Sequence, residues 1–482
     1  MKIFSDIQYD ADVLIAGGGP SGSMCAYYLA KAGKKVILID SESFPRDKIC
    51  GDFVSPVGLK ELINIGISES DDFKKTNVIS GATVYLDGKP LVTKSLPNIK
   101  GLPNYGRIIP RLILDNWLLE AARKAGTQII SPCAIKNYTV HDNYVMVECK
   151  QGKKDKHFVV KMLIGADGSN SKVARIMNGI KPDQSNRIIA VRAYFENVNC
   201  VTDQAELFFS STSFPGYSWF FPVDASRANV GIGMTLEVFP KKDVKLRELL
   251  MNVIESDLSL KAKIGKGQLV NKIVGWPLTI YDSNATIVKD RVLLIGDAAG
   301  LINSLNGEGI QYALQSGRWA AESTLSCLLS GNLSANKLKI FERKVRSEIG
   351  YSMSLSNIIM QLTRNRNLNP MWLTLLKIIT AKAKKDEKYA NLAGGILAGM
   401  IPINKAITIS FLGKTFLECM AFAFKRPYKI FRVIKKSLFF GFEQLSNLFK
   451  QSSEYWNWIK DISRASFASI RLSITRTKKY KQ

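Results

Sequence analysis

Histidine is nearly missing from this chain: 482 residues hold two, His141 and His157. Neither stands at ligand spacing from a cysteine, so a zinc centre or a histidine-based hydrolase triad is not expected. The seven cysteines (Cys25, Cys50, Cys133, Cys149, Cys200, Cys327 and Cys419) include no C-x-x-C pair. Such an odd, dispersed set argues against a disulfide scaffold and for a reducing compartment. A basic-then-apolar leader is missing, so export through a signal peptide is not expected. Tyr389 to Asn404 carries no charge, but three glycines, a proline and two asparagines interrupt it. It is too short and broken for a membrane span.

Acidic charge is also short. Lys and Arg number 67 against 41 Asp and Glu, a net of +26. From residue 361 to the end, 23 basic residues face 6 acidic ones, a net of +17. The usual partners of such a segment are nucleic acid and an anionic membrane surface. No segment resembles a nucleic-acid module, so the membrane is the expected partner. The hydrophobic share of 46% excludes a disordered chain. The length suits about three units of roughly 150 residues.

The opening reads strand, turn, helix, strand. Val13-Leu14-Ile15-Ala16 is apolar and β-like, a helical stretch runs through Ala32, and Val36-Ile37-Leu38-Ile39 ends at Asp40. Between strand and helix, Gly17, Gly19 and Gly22 stand in G-x-G-x-x-G register. Gly17 permits the tight turn, Gly19 lets backbone approach a pyrophosphate, and Gly22 lets helix and strand pack closely. The helix N-terminus offers N–H groups to phosphates, and Asp40 is placed for ribose hydroxyls. Dinucleotide binding is the reading of this unit.

Two later apolar runs end in Gly165-Ala166-Asp167-Gly168 and Gly296-Asp297-Ala298-Ala299-Gly300. α/β sheets bind ligands at such strand ends. A helical run from about Gln311 to Leu329 follows, with small residues Ala313, Ser316, Gly317, Ala320 and Ala321 at helical spacing for close packing. This set of motifs resembles the flavoprotein fold of the aromatic hydroxylases. The resemblance implies FAD, with Asp297 on the ribityl chain. The helix after Gly307 and Gly309 would aim its positive end at the flavin's N1–O2 edge.

A narrower resemblance, to the geranylgeranyl reductase family, rests on three segments. They are Pro45-Arg46-Asp47-Lys48-Ile49-Cys50-Gly51, Arg107 to Asp115, and Tyr217-Ser218-Trp219-Phe220-Phe221-Pro222 followed by Val230-Gly231-Ile232-Gly233. Where the family usually has a proline after Asn303, this chain has Ser304. The resemblance implies reduction of carbon–carbon double bonds in a long isoprenoid chain, with Arg46 and Arg111 as FAD contacts. Tyr217, Trp219 and Phe221 alternate on a strand and share one face; they would line an apolar tunnel or else fill an ordinary aromatic core. Cys50 is either a weak acid or redox partner at the flavin, or a buried small hydrophobe. No second G-x-G-x-x-G exists, so NADPH docking transiently or a reduced ferredoxin-like carrier would supply electrons.

The expected fold class is α/β (α+β): a discontinuous Rossmann-like FAD domain, an inserted antiparallel substrate-binding sheet and a helical C-terminal region. The FAD parts are residues 1–75, 105–185 and 281–345, the substrate-binding parts 76–104 and 186–280, and the basic helical part 346–482. Within the last, Phe431, Ile434, Leu438, Phe442, Leu445 and Phe449 oppose Lys429, Arg432 and Lys436. This is a basic amphipathic pattern, of the kind that lies in a membrane interface or packs on the core. Arg476 to Lys481 is expected to be disordered. The location expected is cytoplasmic and peripheral to the membrane. The function expected is an FAD-dependent reductase of isoprenoid double bonds. The rivals are a flavin monooxygenase or halogenase, and a membrane-docking protein whose FAD is structural.

Overall fold

The computed structural model describes residues 7–179, 187–238, 245–270, 272–406, 408–425 and 452–479. The amphipathic stretch Phe431 to Phe449 lies outside them. The first strand, Ala11–Ala16, is the centre of a parallel core. It pairs with Val36–Ile39 on one side and Lys154–Gly165 on the other. Gln128–Ile130 and Val292–Leu294 extend this core in the same sense. Val13, Leu14 and Ile15 have no exposure, as expected for strands covered on both faces. Val145–Gln151 and Ala134–Val140 add an antiparallel flap.

The helix Pro20–Lys31 follows the glycine turn, and the helix Ile310–Leu329 packs directly on it. The small residues of the second helix explain the contact: a Cβ on Gly317 would lie 2.4 Å from the Ser21 carbonyl oxygen. Gly22 is as constrained, its virtual Cβ lying 1.9 Å from the Gly17 carbonyl oxygen.

A second sheet runs Gln268–Leu269, Arg187–Glu196, Arg227–Thr235, Tyr217–Pro222, Gln204–Phe209, Gly81–Leu86, Lys89–Ser95, with Val274–Thr279 also paired to Arg187–Glu196. It is not wholly antiparallel, because Gly81–Leu86 and Gln204–Phe209 run parallel. They come from separate stretches of chain, so no hairpin dictates their direction. Asn77–Ile79 stays out of this sheet and pairs with Gly106–Ile108, which also holds Phe53–Val54. Alternation divides the large sheet's faces. Val191, Phe195, Phe220, Val230 and Ile232 pack against helices Leu246–Ser256 and Leu258–Ile264. The opposite face looks into a cavity.

The C-terminal helices Tyr351–Thr363, Asn369–Lys385 and Glu387–Leu397 close that cavity. Ion pairs hold them in place: Lys94 to Glu387 at 3.2 Å, and Lys414, on the helix Ile409–Lys425, to Asp386 at 2.7 Å. The last helix, Ser452–Lys479, docks on Tyr351–Thr363 through Arg364 to Asp461 at 3.1 Å and Trp458 to the Gln361 carbonyl at 2.8 Å. The expectation of disorder from Arg476 is corrected up to Lys479, because the docked helix continues that far.

Replacing Gly22 by alanine drives a methyl into backbone that cannot yield. Its expected effect is a loss of about 1–3 kcal/mol together with loss of retained flavin. Thermal melting and flavin absorbance of the purified variant check this.

Candidate functional site

The first part of the site is made by backbone. Gly17 has φ of 113°, where a side chain would be strained, and its virtual Cβ lies 2.2 Å from the Ala166 carbonyl oxygen. Gly19 precedes the helix Pro20–Lys31, whose N-terminus has no side-chain cap. A Cβ on Gly19 would meet only Arg46 Nη2, at 3.7 Å. Free N–H groups and the positive dipole end therefore open on a space lined by Gly17, Gly19, Pro20 and Ser21. Asp40 Oδ2 accepts from Gly18 N at 2.7 Å and Oδ1 from Glu42 N at 2.9 Å. Two carboxylate oxygens offer about four acceptor positions, which leaves capacity for ribose hydroxyls.

The basic residues are held by carboxylates. Arg46 lies 3.0 Å from Asp115 and 3.5 Å from Asp40. Arg111 donates to Asp115 through Nε at 2.6 Å and Nη2 at 2.7 Å. Asp115 has no exposure and Arg111 is buried, so each charge compensates the other. Both arginines still line the cavity. Across it stand Asp297, which accepts from Ser169 Oγ at 3.3 Å, and the uncapped start of the helix Ile310–Leu329 after Gly307 and Gly309. Asp167 is used locally, accepting from Ser171 Oγ and from the N–H groups of Lys172 and Val173 at the head of a short helix. The glycine cradle, two uncapped helix ends and the acids Asp40 and Asp297 fit an FAD.

The second part is the inner face of the large sheet. Tyr217, Trp219 and Phe221 form a row with ring centroids 6.4 and 6.2 Å apart. The glycines of the neighbouring strand explain how the row lies flat. Trp219 is paired with Gly231, where a Cβ would come 2.2 Å from indole Cζ2. The same face continues through Val84, Leu207, Phe209, Ala190, Trp276 and Leu278. Two bonds tie it to the cofactor end. The Tyr217 hydroxyl donates to the Asn306 carbonyl at 2.6 Å, and Asn229 Nδ2 donates to the Cys50 carbonyl at 2.8 Å.

The third part is the C-terminal wall: Leu375, Leu376, Ile379, Ala383, Ala390, Ala393, Gly394 and Leu397. With it the cavity reaches about 1200 Å³. Pockets for one drug-sized ligand are roughly 300–1,000 Å³, so this cavity is larger than such a site.

Burial sets the titration of the ionisable groups here. The Cys50 thiol is pushed up by burial, with Arg111 opposing. Lys48, over the Trp276 ring at 4.3 Å, is pulled down by burial, with Asp297 opposing. Asp52 is pushed up to about 6 by burial, against hydrogen bonds from Tyr194 and Asn229. Glu308 is pushed up to about 8 by burial, opposed only by the Ser55 hydroxyl. Its Oε1 is buried without a partner. Gly399, at φ 67°, makes the room, since a Cβ there would sit 2.0 Å from Oε2.

The structure brings Gly17, Gly19, Asp40, Arg46, Cys50, Arg111, Tyr217, Trp219, Phe221, Asp297, Gly307 and Gly309 onto one cavity. Gly22 lies behind the turn as a packing position. Sequence reasoning missed Asp52, Asn229, Glu308 and the C-terminal wall. Asp52 directly follows the Pro45–Gly51 segment, Glu308 stands between Gly307 and Gly309, and Asn229 immediately precedes Val230–Gly233. No signal marked the wall.

A protein-family profile described as "FAD binding domain" matches residues 10–349. The digeranylgeranylglycerophospholipid reductase 2 of Methanosphaera stadtmanae is 31% identical over 71% of this chain and 84% of its own length. The menaquinone reductase of Mycobacterium tuberculosis is 30% identical over 65% and 76%. The solved geranylgeranyl bacteriochlorophyll reductase-like protein of Thermoplasma acidophilum superposes with TM-score 0.67 at 23% identity, covering 82% of this chain and 98% of that one. A flavin-dependent brominase shares the fold at TM-score 0.64 and 18% identity, over 80% and 95%.

Glu308 makes stability depend on pH. Its carboxyl titrates near 8 in the fold against 4.5 without burial. The neutral form's contribution is complete below 4.5 and is lost as pH rises to about 8. Between about pH 5 and 8 the melting temperature of the native protein should fall relative to Glu308→Gln. Parallel curves would show that Glu308 is ionised in the fold.

Proposed function

This chain belongs to the geranylgeranyl reductase family of FAD-dependent oxidoreductases, and on that premise we propose that it saturates carbon–carbon double bonds of an isoprenoid chain carried by a lipid, quinone or pigment precursor. The observation that carries the reading is the continuity of the cavity from the glycine cradle, across the aromatic row, to an apolar chamber walled by the C-terminal helices. Such a space suits a long hydrocarbon with one segment presented at the cofactor end.

Bound and reduced, FAD supplies the hydride. This chain's residues bind, orient and exclude water. Gly17, Gly19 and the helix end behind them would hold the pyrophosphate, Asp40 the ribose and Asp297 the ribityl chain. The row Tyr217, Trp219 and Phe221 supports the chain by apolar and aromatic contact. Val92, Ile379, Ala383 and Ala393 keep its far end dry. The second hydrogen would come as a proton from water or a nearby acid, with NADPH or a reduced ferredoxin-like carrier as the electron donor.

The membrane is the expected source of such a chain. No helix among the described residues is long and apolar enough to cross one. The helix Ile409–Lys425 turns Lys414 and Glu418 toward its neighbours and leaves Leu412, Phe416 and Leu417 53–68% exposed. An apolar face within a region of net +17 suits the surface of an anionic bilayer. Binding to anionic vesicles should exceed binding to neutral ones and should fall in Phe416→Glu/Leu417→Glu. Equal sedimentation of variant and native protein would exclude this face.

Anaerobic incubation of flavin-loaded protein with a chemical reductant and geranylgeranyl lipids tests the activity. Mass gains of paired hydrogens are expected. Gly394 lines the chamber, and a Cβ there would meet nothing within 4 Å. Gly394→Phe should therefore shift the products to smaller gains without loss of flavin. Oxygen or halogen gain in air with halide, and none without, would instead make this a monooxygenase or halogenase.

A further inference from the structure

Cys50 and Trp219 reach the cavity from different parts of the chain, and one buried amide connects them. Asn229 has no exposure. It sits on the strand Arg227–Thr235, directly across from Phe221. Its Oδ1 accepts from Trp219 Nε1 at 2.9 Å. Its Nδ2 donates to the Cys50 carbonyl at 2.8 Å and to Asp52 Oδ2 at 2.7 Å. The orientation of the amide is dictated by its neighbours, because an indole N–H only donates and a carbonyl only accepts.

The turn it grips is otherwise strained and closely fitted. Asp52 holds φ of 64°, and its N–H donates to Cys50 Sγ at 3.3 Å. Its carboxylate also takes the Tyr194 hydroxyl at 2.5 Å and Arg111 N at 3.3 Å. Between them, Gly51 lies so close to the aromatic row that a Cβ would stand 3.1 Å from Phe221 and 3.4 Å from Trp219 Nε1. Positive φ at a non-glycine residue persists only where surrounding contacts over-determine it. Here those contacts come from Asn229, Tyr194 and Arg111.

We propose that Asn229 is a positioning residue: it clamps the Cys50–Gly51–Asp52 turn to the Trp219 indole and so sets where the thiol stands on the cavity wall. Cys50 and Trp219 both line the cavity, so the amide acts on the site through them and touches nothing reacting itself. Without it the Cys50 carbonyl and one acceptor position of Asp52 are left unpaired in a dry setting, and the strained turn relaxes away from the row. The inference concerns placement of the thiol and does not rest on which lipid is reduced.

The test is alkylation of the full-length, flavin-loaded protein by iodoacetamide, with the modified cysteines resolved by peptide mass. Cys200 and Cys419 are, like Cys50, neither buried nor fully exposed and serve as internal controls. Asn229→Ala should alkylate at Cys50 about tenfold faster, with the Cys200 and Cys419 rates unchanged. Asn229→Ser, which keeps a polar atom in the site, is run beside it in case the alanine variant does not fold, and should move Cys50 in the same direction. A Cys50 rate equal to that of the native protein would overturn the proposal. So would a rise shared by all three cysteines, which would mean general loosening.

Discussion

The contact between the aromatic row and the loop beneath the cofactor end is the constraint on which the rest depends. The row belongs to a sheet that folds around its own apolar layer. The glycine cradle belongs to a parallel sheet with a separate core. The Tyr217 hydroxyl on the Asn306 carbonyl and the Asn229 amide under Cys50 connect the two. Each joins a side chain of the large sheet to backbone of a loop at the cofactor end, which leaves little freedom in their relative placement. The row can lie flat because Gly231 offers no side chain beneath the indole.

The C-terminal region then has two apolar faces, one on the chamber and one exposed. Its inner face supplies small and aliphatic side chains to the chamber, and its outer face carries exposed aromatic and aliphatic residues. Asn306 Nδ2 to the Leu397 carbonyl at 3.1 Å and Gln311 Nε2 to the Gly399 carbonyl at 3.0 Å bind this wall to the cofactor loop. A shift of the wall is therefore felt where the loop turns into the helix Ile310–Leu329. Packed elements with such cross-ties move as units.

Buried acids in this cavity show how partners, more than depth, decide charge. Asp115, set behind the cavity wall, takes hydrogen bonds from two arginines, Arg46 and Arg111. Asp52 is surrounded by donors, and burial wins only in part. Glu308 has a single hydroxyl to oppose burial and is pushed further, to about 8. The order follows from the number of charges and donors aimed at each carboxyl.

The parallel core, the glycine cradle and the shared face of Tyr217, Trp219 and Phe221 were legible in the sequence. Each is encoded within about ten consecutive residues, by alternation or by a glycine that only one backbone shape requires. So was the close approach of the helix Ile310–Leu329, whose small residues recur at its own period. The parallel pairing of Gly81–Leu86 with Gln204–Phe209, the meeting of Asp52, Tyr194 and Asn229, and the wall of residues 375–397 were not legible. These join segments more than a hundred residues apart, and strand patterns and single polar residues say which face is buried but not what buries it. By itself the sequence determined a dinucleotide-binding unit and an aromatic strand whose three rings share one face. Only the tertiary structure decided that the basic C-terminal part walls the chamber. Its apolar residues satisfy the same burial requirement on a membrane, on a partner or on this cavity, and long-range packing alone chooses among them.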